Sequence, residues 1–176
     1  MCDYGRLIRH IDEASKKKGR DGVTKDTVLE LFEEYHQSVY RMAYAVLKNR
    51  FDAEDAVQTV FLKLLSGGTA PREGKEKAWI LSVTVNVCRD MLRSAKSHQT
   101  EELDDSIAAM STESSALLGA VLALPQRYRK ALHLYYYEGY DQRECAKILG
   151  VTPSAVSMRL YRARSILRSK LEGESI

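Results

Sequence analysis

Five cations crowd one short stretch late in the chain: Arg159, Arg162, Arg164, Arg168 and Lys170 lie between Pro153 and Lys170 with no acidic residue among them. A guanidinium can neutralise a phosphate, or take both acceptors on the edge of a guanine through two parallel hydrogen bonds. Nucleic acid is therefore the partner that such a set suits. A cationic helix end also occurs as a plain solvated face that favours the helix dipole, so the surrounding pattern has to decide. The other chemistry-bearing residue types are scattered. His10, His36, His98 and His133 make no metal pair at helical spacing, although Glu33 and His36 could share a face. Cys2, Cys88 and Cys145 contain no CxxC pair, which argues against a zinc ribbon and against a disulfide framework. Cys88 and Cys145 read as small core residues, with a redox role for Cys145 as the lesser alternative. The expectation is a binding protein and not an enzyme, with no metal and no cofactor.

Residues 141–171 supply the helices needed to position the cations. Asp141 with Glu144 fits a capping box, so a helix is predicted to start near Gln142. Gly150 suits the positive φ of a helix exit, and Thr152 and Pro153 suit the cap and first turn of the next helix. On that second helix Val156, Leu160, Ala163, Leu167 and Leu171 form one apolar stripe. Away from the stripe lie Ser154, Ala155, Met158, Tyr161, Arg162 and Ser165, with Arg159 and Arg164 on the flanks. Cap, turn, stripe and charge together make a helix-turn-helix, whose second helix enters a major groove. Tyr135, Tyr136 and Tyr137 offer no stacking platform as a run, because successive helical residues point in different directions.

The chain has 176 residues, 44% hydrophobic and 29% charged, with a net charge of only +3. The charge is segregated: residues 125–171 hold ten basic against three acidic residues, whereas 101–113 hold five acidic and no basic ones. Pairing of that acidic stretch with the basic last helix is one expectation. Residues 1–21 mix charges and lack the apolar core of a signal peptide, and no run approaches the roughly 20 apolar residues of a membrane span. A cytoplasmic protein without membrane insertion is expected.

Further helices follow from periodicity. A short one is predicted over residues 3–18, and another start stands at Thr24. Leu31, Phe32, Tyr35, Val39, Met42, Ala43 and Val46 mark a long amphipathic helix. Asp52 with Asp55 reads as the cap of the next, with Ala56, Val57, Val60, Phe61, Leu64 and Leu65 buried and Glu54, Asp55, Gln58, Thr59, Leu62 and Lys63 outside; it should stop at Gly67 and Gly68. After a loop over 66–77, Trp79, Ile80, Val83, Val87 and Met91 predict a third helix in preference to a strand. A helix over 116–124 precedes one opened by Pro125, with Tyr128, Ala131, Leu132 and Tyr135 on its stripe. The predicted fold class is all-α: two small helical bundles joined by a flexible acidic linker, the C-terminal one a helix-turn-helix domain. The expected limits are an N-terminal extension over 1–27, a first domain over 28–96, a linker over 97–113 and a second domain over 114–172.

Residues 52–65, DAEDAVQTVFLKLL, and 78–93, AWILSVTVNVCRDMLR, resemble the second conserved region of bacterial RNA polymerase sigma factors of the extracytoplasmic-function (ECF) type of the sigma-70 family. Residues 124–132, LPQRYRKAL, with 140–171 after them, are similar to the fourth region, including Leu149-Gly150-Val151 and Arg162-Ala163-Arg164. The resemblance implies a protein that binds core RNA polymerase, directs it to promoter DNA and promotes melting. It implies that Asp55, Gln58 and Thr59 face the coiled coil of the β′ subunit, and that the fourth region meets the β flap. Arg72, Lys75, Lys77, Trp79, Asn86, Arg89 and Arg93 would hold the melted minus-ten strand. At the minus-thirty-five element, Ser154, Ala155, Met158 and Arg162 would address base edges, and Ser157, Arg159, Tyr161 and Arg164 phosphates. An anti-sigma factor is a further candidate partner. The competing expectation is a stand-alone helix-turn-helix transcriptional regulator.

Overall fold

Every regular element is helical in the computed structural model, which describes residues 24–66, 71–95 and 112–173. The chain divides into two compact units, residues 1–99 and 100–176. The predicted helix over 3–18, the stop at Gly67 and Gly68, and residues 101–111 of the acidic stretch expected to pair with the last helix lie outside the described residues.

In the first unit Thr24 caps helix α1 (Lys25–Leu47), its hydroxyl accepting from the Thr27 N–H at 3.2 Å. The helix ends where Lys48 takes a left-handed φ of 60° and its N–H bonds the Tyr44 carbonyl. A tight reversal leads straight into α2 (Arg50–Leu65). Asn49, not Asp52, is the cap: its Oδ1 accepts from the Phe51 and Asp52 N–H groups at 2.8 and 3.1 Å. Asn and Asp cap equally well, so spacing alone favoured the wrong candidate. Asp52 instead lies in the first turn, where its charge favours the helix dipole.

Helix α3 (Glu76–Ala95) packs on both α1 and α2. Contact with two helices widens its buried arc beyond the predicted stripe. Ile80, Leu81, Thr84, Val85, Val87 and Cys88 are buried, while Trp79, Val83 and Met91 sit half-buried at the margins. Thr84 is tolerated inside because its hydroxyl donates to the Ile80 carbonyl at 2.8 Å. At the centre, Phe32 of α1 meets Phe61 of α2 edge to face at 5.0 Å.

The second unit contains α4 (Thr112–Leu122), α5 (Gln126–Leu132), α6 (Gln142–Leu149) and α7 (Pro153–Gly173). Arg129 of α5 is buried, and its Nη1 donates to the carbonyls of Leu122, at 3.1 Å, and Leu124. The guanidinium thereby satisfies carbonyls at the end of α4, and one of the ten basic residues of 125–171 is removed from the surface.

Past Leu132 the chain makes one π-helical turn, His133–Tyr137, with the Glu138 N–H reaching back to the His133 carbonyl at 3.0 Å. The wider turn inserts a residue and rotates the side chains beyond it. Leu134 is fully buried, three residues after buried Ala131, and Tyr135, predicted on the buried stripe, is only half-buried.

The helix-turn-helix forms as its sequence predicts. Asp141 Oδ1 accepts from the Arg143 and Glu144 N–H groups at 2.7 and 2.8 Å, and Glu144 Oε2 accepts from the Asp141 N–H at 3.1 Å. Gly150 has φ 63°, and Thr152 Oγ1 accepts from the Ala155 N–H at 3.2 Å. Val156, Leu160 and Ala163 are buried against the bundle. Leu167 is half-buried and Leu171 is exposed, because the 21 residues of α7 outrun the shorter helices on which it packs.

Candidate nucleic-acid and polymerase interfaces

Pro153 opens α7, and residues spaced three and four apart carry its outer ridge away from the buried stripe. Ser154, Ser157, Met158, Tyr161, Arg162 and Arg164 are exposed; Ala155 and Arg159 are half-buried. Met158 is 50% exposed and Tyr161 66%, an unusual amount of apolar surface for a helix that already has a packed side. The two central arginines are held differently. The Arg162 guanidinium beside the hydroxyl of Tyr128 on α5, with help from Arg127, holds the phenol below the usual tyrosine range although burial pushes the other way. The Arg127 guanidinium also lies 4.8 Å from the Tyr128 ring centre. Arg164, by contrast, donates from Nε to the Leu160 carbonyl of its own helix at 3.3 Å. Arg162 thus lies near a side chain of a second helix, and Arg164 stays close to the backbone of α7. Periodicity assigned Tyr128 to the core and gave no sign of this proximity, which exists only because α5 packs on α7.

In the first unit Asp55 is exposed on α2, with Gln58 and Thr59 half-buried beside it. Of the residues expected outside, Glu54 and Leu62 are also half-buried. The cationic set divides into two groups along α3. Arg72 and Lys75 are exposed on the loop leading into the helix, next to half-buried Lys77 and Trp79. Gly74 shapes that loop with φ 72°, and its N–H donates to Glu76 Oε1 at 2.8 Å. Asn86, Arg89 and Arg93 are exposed further along the helix and share one face. At 1.5 Å per residue, Trp79 and Arg93 are separated by about 20 Å along the axis. That spacing spreads the set along the helix and does not gather it into a single pocket.

Metal and redox chemistry find little to work with. Among the described residues no three His, Cys, Asp or Glu side chains gather into a metal site. His36 Nδ1 is 2.9 Å from the Phe32 carbonyl, its Nε2 is 3.1 Å from Gln37 Nε2, and its ring stacks on Phe32. Cys145 is fully buried and its Sγ lies 3.6 Å from the Tyr140 carbonyl. Burial, with Asp141 and Glu144 nearby, pushes the thiol up to about 11, leaving scarcely any thiolate at neutral pH. No helix among the described residues is long and apolar enough to cross a membrane.

Comparison with known proteins covers both units. Residues 31–98 match the Sigma-70 region 2 family and residues 114–167 match the Sigma-70, region 4 family. The ECF RNA polymerase sigma factor SigM of Mycobacterium tuberculosis is 31% identical over 144 residues, covering 78% of this chain and 74% of the relative. RNA polymerase sigma factor SigV of Bacillus subtilis is 30% identical over 160 residues, covering 87% and 96%. The fold is shared with the sigma factor RpoE of Bartonella quintana, solved with the anti-sigma factor NepR, at TM-score 0.65 and 20% identity over 85% of this chain and 98% of that one. It is also shared with CnrH, solved with the cytosolic domain of CnrY, at TM-score 0.59 and 21% identity over 94% and 96%. The chain belongs to the ECF RNA polymerase sigma factors.

Proposed function

We propose that this sigma factor works as a two-part promoter reader, with its duplex-reading and strand-holding surfaces on separate units. It binds core RNA polymerase, selects promoters and promotes their melting; the assignment of residues to these tasks is our own. Helix α7 enters the major groove at the minus-thirty-five element, with Ser154, Ala155, Met158 and Arg162 toward base edges and Ser157, Arg159, Tyr161 and Arg164 toward phosphates. The track from Arg72 to Arg93 holds the melted minus-ten strand. Unstacking DNA costs a few kcal/mol per base step, and Trp79 with the cations along α3 offsets that cost by stacking and by charge. Asp55, Gln58 and Thr59 meet the β′ coiled coil, and the fourth region meets the β flap. The working domains span residues 28–96 and 114–172, linked by 97–113 and preceded by an extension over 1–27.

The observation that carries this proposal is the presence of both sigma regions in one chain and in order, each with an exposed cationic face. A stand-alone regulator has no use for a strand-holding track beside an acidic helix face. Because the structural relative RpoE was solved with an anti-sigma factor, and CnrH with the cytosolic domain of CnrY, a cytoplasmic life under control of an anti-sigma factor is also part of the proposal. Run-off transcription with core polymerase on genomic DNA tests it: the chain should give discrete start sites preceded by two shared sequence elements. Tight binding to duplex operator without core, and no initiation with it, would overturn the proposal.

A further inference from the structure

Phe51 is the most exposed phenylalanine among the described residues, at 62%, and it stands in the first turn of α2. Its backbone is fixed, since its N–H donates to the Asn49 cap at 2.8 Å. Its ring is oriented as well: the Arg50 guanidinium carbon lies 5.3 Å from the ring centre, covering one face of the ring and leaving the other outward. Single exposed apolar side chains are common on protein surfaces and by themselves need no explanation. The place of this one is what matters. Helical spacing puts Phe51, Asp55, Gln58 and Leu62 on one stripe, directly opposite the buried stripe of Ala53, Val57, Val60 and Phe61. Carboxylates of Asp52, Glu54 and Asp55 surround it.

We propose that Phe51 is the apolar anchor of the polymerase-docking face of α2, seated in an apolar recess of core polymerase whose rim carries cationic or donor groups for Asp52 and Asp55. The proposal rests on the assignment of Asp55 and Gln58 to the polymerase face. It adds a residue outside the set that sequence resemblance implies, and a physical reason for the binding strength of that face. Aromatic side chains are enriched at the centres of interfaces, and a few such anchors carry most of the affinity. A ring already held by Arg50 and by a capped backbone loses little freedom when it docks.

The test titrates the full-length chain with core polymerase and compares wild type, Phe51→Ala, Phe51→Leu and Asp55→Ala, with a melting curve of each free protein. Phe51→Ala should weaken binding about tenfold or more, Phe51→Leu should retain part of the affinity, and the free-protein melts should coincide. If Asp55→Ala weakens binding while Phe51→Ala stays within about twofold of wild type, a change too small for an interface anchor, the anchor is refuted and the docking face stands. If neither weakens binding, both are refuted. Loss at Phe51 alone would support the anchor and require the polar part of the face to be redrawn. A lowered melting temperature with unchanged core affinity would seat the ring on its own chain, and a dimer dissolved by Phe51→Ala would seat it on a second copy; either result overturns the proposal.

Discussion

The two proposed DNA-facing regions are built differently. Helix α7 concentrates its chemistry on one ridge of one helix, started by adjacent residues: Thr152 as cap, Pro153 in the first turn and Gly150 at the preceding exit. The track proposed on the first unit is spread over a glycine-shaped loop and much of α3, and the proposed polymerase face lies on another helix, α2. A duplex groove accepts a rigid helix as it stands, so one element suffices. A melted strand has no fixed shape, so its holder must supply contacts spaced along a length. Concentrated sites are easily specified locally, whereas distributed ones depend on packing between helices.

If the contrast lies in the surfaces and not in the cores, truncating either core must cost alike. Phe61→Ala should destabilise the first unit by about 3–5 kcal/mol and Leu160→Ala the second by about 2–5 kcal/mol, read by denaturant titration with amide exchange to locate the loss. A large loss in one unit beside a negligible one in the other would break the comparison.

Alkali should single out the second unit. Burial raises the Cys145 thiol to about 11 and the Tyr140 phenol to about 12, with Glu138 adding to the latter. Groups whose folded values are raised lend stability that is full below their unfolded values and lost as pH rises through the folded ones. Stability around α6 should therefore fall between about pH 9 and 12, by on the order of 2 kcal/mol for the fully buried Cys145, and Cys145→Ala should flatten the decline. A flat profile in the wild type would contradict the described burial.

The two central arginines sharpen the comparison within α7. Arg162→Ala should relax sequence preference, removing about 1–3 kcal/mol of discrimination at one promoter position. Arg164→Ala should weaken binding evenly and reduce the salt slope by about 1. Binding to a panel of minus-thirty-five variants at several salt concentrations separates them, and equal effects would dissolve the division. Smallest are the caps: Asn49→Ala and Asp141→Ala should each cost about 1 kcal/mol, and Asp52→Ala less than either. A larger loss from Asp52→Ala would restore it as the cap.

Legibility tracked the same contrast. The helix-turn-helix was readable because the residues that define it are neighbours and each has a local reason to be there. Asn49 was missed because a second good cap stood three residues later with an acid at the right spacing. The burial of Arg129, the burial of Leu134 in place of Tyr135, and the nearness of Arg162 to Tyr128 all depend on contacts between helices that periodicity does not encode. In α3 the stripe was legible in direction but not in width, since a second packing partner decides how far it extends. For Leu167 and Leu171 the pattern was sound, and the packing helices were too short to cover it.

Division of labour between the units is the central claim, and a pre-melted template tests it most directly. Initiation by holoenzyme carrying Arg93→Ala or Arg162→Ala should be measured on a duplex promoter and on one already opened over the minus-ten element. The account predicts that opening the template restores initiation by Arg93→Ala and leaves Arg162→Ala impaired. Equal rescue of both, or rescue of Arg162→Ala alone, would contradict it.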